Sequence, residues 1–73
     1  MLSSSLIKEI TDLLAIMDED ESTFTLSDGR EARCFRGDKA KSQAQAAYAN
    51  LPVNTIAISG VEEIVSGVYC FVL

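Results

Sequence analysis

Phe24-Thr25-Leu26-Ser27-Asp28-Gly29-Arg30-Glu31-Ala32-Arg33-Cys34-Phe35 decides the fold, because it sets two alternating segments around one turn. Phe24 and Leu26 alternate with Thr23 and Thr25, a short half-buried strand, and Glu31 to Phe35 gives a second. Directly opposed residues of a hairpin share a face, and a slip of one residue would turn every side chain over. A two-residue Asp28-Gly29 loop would set Leu26 against Glu31 and Phe24 against Arg33. A three-residue Ser27-Asp28-Gly29 loop, with Gly29 left-handed in a bulge, sets Phe24 against Ala32 and Thr23 against Arg33. The second register keeps apolar with apolar and is the expected one.

On the N-terminal side, Leu6, Ile7, Ile10, Leu13, Leu14 and Met17 recur at helical spacing, with Lys8, Glu9 and Asp12 opposite. The helix has Ser3, Ser4 and Ser5 as candidate N-caps. It should end before or within Asp18-Glu19-Asp20-Glu21, whose charges oppose the negative end of the helix dipole. On the C-terminal side Gly37 breaks the strand, Asp38 offers an N-cap, and a second helix runs to Leu51 before Pro52. Its expected inner face is Ala40, Ala44, Ala47, Tyr48 and Leu51, alanines letting a helix lie close to a sheet. Asn54 to Ser59 reads as a third strand. Val68 to Leu73, apolar throughout, reads as a central strand covered on both faces. Between Gly60 and Gly67, Val61, Ile64 and Val65 fit a helical turn and an extended hairpin arm fits nearly as well, so the segment stays open. The expected fold is a single α+β domain over residues 1–73, ordered α-β-β-α-β-β, with one mainly antiparallel four-stranded sheet and two packed helices.

A chain of 73 residues hides roughly 60% of its unfolded surface, so a partner or second copy would add stability. No apolar run approaches the roughly 18 residues that span a bilayer, and because Lys8 and Glu9 interrupt the N-terminal apolar residues no signal peptide is expected. The expected location is the cytoplasm of a bacterial host cell, with Cys34 and Cys70 reduced. There is no histidine, which removes Ser-His and Cys-His catalysis and most zinc ligand sets. Neither catalytic residues, a metal nor a cofactor is expected. Gly37-Asp38-Lys39-Ala40-Lys41-Ser42 lacks the phosphate-loop frame, and Arg36-Gly37-Asp38 is explained by a strand end, a breaker and a cap. Adjacent Glu62 and Glu63 diverge on any regular element and make no acid-base pair.

The net charge of −5 is unevenly distributed. Residues 1–28 hold seven acids and one lysine, whereas 29–52 hold five bases and two acids. Two candidate contact surfaces follow: Asp18, Glu19, Asp20 and Glu21, and against them Arg30, Arg33, Arg36, Lys39 and Lys41. Clustered carboxylates can engage the lysines and arginines that normally hold nucleic-acid phosphates. The basic run could instead contact phosphate directly, with Phe35 its one candidate stacking aromatic, but the overall acidity disfavours this.

Lys39-Ala40-Lys41 followed by Ala44, Ala46, Ala47 and Leu51 resembles the last helix of double-stranded-RNA-binding domains, which would make Lys39 and Lys41 phosphate contacts. That family places three strands before this helix, unlike the two read here. The pattern over residues 24–73, an Asp-Gly hairpin turn, an alanine-rich helix and a closing β segment in a short acidic chain, is similar to small phage-encoded inhibitors of the anti-CRISPR type. What that resemblance implies is a protein that works by occupying a host surface. The expected function is therefore a non-enzymatic, protein-binding inhibitor or regulator from a phage or other mobile element. Its expected partner is the nucleic-acid-binding surface of a host complex such as a CRISPR effector. A small nucleic-acid-binding module and an assembly subunit, such as a homodimer, are the rivals.

Overall fold

The structure, a computed structural model, describes residues 2–73. It is α+β, with α1 (Ser4–Leu14), β1 (Glu21–Thr25), β2 (Glu31–Arg36), α2 (Ala40–Ala49), β3 (Glu62–Val65) and β4 (Val68–Val72). All neighbouring strands are antiparallel, in the order β1-β2-β4-β3. The Val68–Val72 strand is thus central, as its apolar run implies.

Strand alternation divides the apolar residues between two faces. Ala32, Cys34, Cys70 and Val72 point to one face, where Ile10, Leu2, Met17 and Leu26 bury against them with the apolar stripe of α1. Phe35 and Phe71 point to the other, closed by Ala40 and Ala44 of α2 with Ala47, Leu51 and Tyr69 around them. The molecule is a helix-sheet-helix sandwich. Alanines at 40 and 44 bring α2 close enough to bury both phenylalanines, whose ring centroids lie 6.2 Å apart in a stacked pair.

The β1–β2 hairpin has the expected register, with Phe24 opposite Ala32 and Thr23 opposite Arg33. Leu26 N–H donates to the Arg30 carbonyl, enclosing Ser27-Asp28-Gly29, and Gly29 takes a φ of +89°. Asp28 Oδ1 accepts from Arg30 N–H at 2.9 Å, tightening the turn. Ser3 is the N-cap of α1, its hydroxyl accepting from Leu6 N–H. Glu9 reaches from α1 to the hairpin turn, where its carboxylate accepts from both the N–H and the hydroxyl of Ser27, at 2.7 and 3.0 Å.

Three expectations are corrected. Asn54 to Ser59 is not a strand; the fourth strand is Glu62–Val65, the hairpin-arm alternative for the 60–67 segment. The reason is availability of partners. β2 occupies one edge of β4, and a two-residue Ser66-Gly67 loop brings β3 onto residues 68–70 of the other. β3 does not reach Val72, and there Ile58 N–H donates to the Val72 carbonyl at 3.0 Å, a single bond in place of a strand. Second, Asp38 does not cap α2: Gly37, at φ +107°, starts a tight turn closed by Ala40 N–H to its carbonyl, and Lys39 stands at the cap position without a side-chain bond. The helix also ends at Ala49, short of Leu51. Third, Tyr48 is 37% exposed, meeting the core only edge-on against Phe71.

Candidate functional site

The acidic run leaves α1 and enters β1, and Asp18, Glu19, Asp20 and Glu21 are all exposed. Its backbone is held from the basic side of the sequence. Arg36, at the end of β2, donates from Nη1 to the Met17 carbonyl at 2.7 Å. The Arg36 N–H donates to the Asp20 carbonyl, and the Arg36 Nε lies 4.0 Å from Asp20 Oδ1. Asp20 is turned back toward Arg36 and Gly37. Asp18, Glu19 and Glu21 have no ion pair or side-chain hydrogen bond among the described residues.

The expected basic surface is largely neutralised by the fold. Arg30 pairs with Asp28 at 3.2 Å, and Arg33 with Glu31 at 3.6 Å, two residues away on the same face of β2. With Arg36 occupied by Asp20 and the Met17 carbonyl, all three arginines have local partners. Lys39 and Lys41, exposed at the start of α2, remain without an ion pair among the described residues. These exposed pairs contribute little stability; their effect is on the charge that the surface presents. Phe35 is 2% exposed beneath α2 and is unavailable to stack on a base, a correction to its candidate role.

A feature the charge pattern could not reveal is the edge of β1. Leu26 N–H and Arg36 N–H bond across to Arg30 and Asp20, so the even-numbered residues 20–26 are those whose backbone polar groups face β2. The backbone groups of Glu21, Thr23 and Thr25 consequently face outward. The strand has no proline, lysine or bulge, the usual devices that blunt an edge. The opposite edge, β3, is four residues long and carries a register shift between Glu63 and Val65. The open edge thus continues directly from the unpaired carboxylates.

Elsewhere, Glu62 accepts from Leu2 N–H at 2.8 Å and Glu63 from Gly67 N–H at 3.1 Å, so the adjacent glutamates diverge as expected. Glu63 is also the cross-strand partner of Tyr69, whose phenol is pushed above its ordinary range by desolvation first and then by that carboxylate. Cys34 and Cys70 are opposed on β2 and β4, both fully buried as free thiols. Hydrogen bonding to Cys34 and then burial push the Cys70 thiol far above the ordinary thiol range. Among the described residues there is no enclosed pocket and no cluster of three potential metal ligands, and no helix is long and apolar enough to cross a membrane. No protein-family model, curated protein or solved structure matches the chain.

Proposed function

We propose that this chain is a non-enzymatic binding protein that inhibits or regulates a nucleic-acid-handling complex by occupying the basic surface which that complex uses for phosphate. The observation that carries the reading is the contrast between Asp18, Glu19 and Glu21, exposed without a cationic partner among the described residues, and the three arginines, each tied to a local carboxylate. A surface so arranged attracts cations more readily than phosphates. Charge of this kind raises the association rate and is screened by salt, so lasting affinity needs backbone or apolar contacts beside it. The open edge of β1 supplies backbone groups to an extended segment of the partner. The pattern resemblance to phage inhibitors makes the cytoplasm of a bacterial host the place of action and a CRISPR effector the example to try first.

The test is a competition. A nucleic-acid-binding host complex is titrated with the chain in a retardation assay, and the chain should release the nucleic acid, less effectively as salt rises. The variant Asp18→Asn/Glu19→Gln/Glu21→Gln should fail to do so. Retardation of free nucleic acid by the chain alone would favour the rival reading, in which Lys39 and Lys41 bind phosphate. A defined homo-oligomer with no competing activity would favour an assembly subunit.

A further inference from the structure

Cys34 and Cys70 lie 36 positions apart in sequence and directly opposite one another on the two central strands, with Cys70 Sγ donating to Cys34 Sγ at 2.7 Å. Their place in the ladder is specific. Leu73 N–H donates to the Glu31 carbonyl, so residues 31 and 73 form a hydrogen-bonded pair, as do 33 with 71 and 35 with 69 by alternation. Cys34 and Cys70 therefore occupy a non-hydrogen-bonded site, where opposed Cα atoms stand about 4.5 Å apart, inside the range that disulfides span. Both side chains point to the α1 face, and no third metal-ligating group joins them among the described residues.

We propose that Cys34 and Cys70 are a latent cross-strand disulfide, closed by exchange with a small-molecule disulfide and, once closed, a covalent staple between β2 and β4. One cysteine thiolate attacks the small disulfide, forming a mixed disulfide and releasing one small thiolate. The second cysteine thiolate attacks the protein sulfur of the mixed disulfide and releases the other. Each cysteine gives up one proton and one electron, and the small disulfide is reduced to two thiols. Sealed in the core, the folded pair exchanges only when β2 and β4 part, so the bond forms during folding or local opening and is shielded afterwards. Linking positions 36 apart restricts the unfolded chain and raises the folded-to-unfolded ratio by roughly several hundredfold.

The full chain, unfolded in denaturant and refolded in buffer containing glutathione disulfide, should after denaturing alkylation have a mass two hydrogens below that of the dithiol, with no alkylated cysteine. Its denaturant midpoint should fall on adding reductant, whereas that of Cys34→Ala/Cys70→Ala should not move. Two alkylatable thiols after refolding, glutathione adducts as the end product, or a wild-type midpoint indifferent to reductant would overturn the proposal.

Discussion

At the scale of single residues, a few backbone and side-chain details hold the molecule in its register. Gly29 is one: its φ of +89° lies where an L side chain is strained, yet a Cβ there would meet nothing within 4 Å. Gly29→Ala therefore isolates the conformational term and should lower stability by about 1–2 kcal/mol in denaturant unfolding, with Gly29→Asn costing less. A loss equal for both variants would contradict the left-handed assignment. Tyr69 makes a pH prediction. Its phenol, ordinarily at 10.0, is raised in the fold by desolvation and by Glu63. An acid whose proton is held more tightly in the folded state leaves stability intact below about pH 10 and erodes it as pH rises toward the folded value. Tyr69→Phe should flatten that alkaline decline; curves for the two proteins that stay parallel through this range would exclude the effect.

At the scale of elements, the sequence is most legible where two local signals agree. The hairpin combines turn chemistry at Ser27-Asp28-Gly29 with alternation on both sides, and α1 combines a serine cap with an uninterrupted apolar stripe. The 54–59 segment alternates equally well, yet both sides of the central strand β4 are already taken, a fact settled by β2 and β3 rather than by its own residues. The same distinction separates the parts of the site. The acidic and basic runs are visible in the chain, whereas the Asp20–Arg36 approach and the outward edge of β1 depend on how strands align. That edge gives a selective test. Thr23→Pro removes an N–H that faces away from β2, so far-UV circular dichroism should stay near wild type while partner binding weakens at least tenfold. Unchanged binding with an intact fold would remove the edge from the interface.

At the scale of the whole molecule, a chain of 73 residues reaches two buried clusters by placing one helix on each side of a four-stranded sheet. Its charge is arranged differently from its sequence distribution. The lopsided chain folds its arginines onto nearby carboxylates and leaves Asp18, Glu19 and Glu21 exposed beside the open strand edge. Inhibition by this chain requires that surface to compete with nucleic acid. The measurement is the salt-dependent release of labelled nucleic acid from a host effector complex by wild type and by Asp18→Asn/Glu19→Gln/Glu21→Gln. Release by wild type that weakens as salt rises, with at least a tenfold loss in the variant at low salt, is the predicted result. Equal potency of the two proteins at every salt concentration would contradict it.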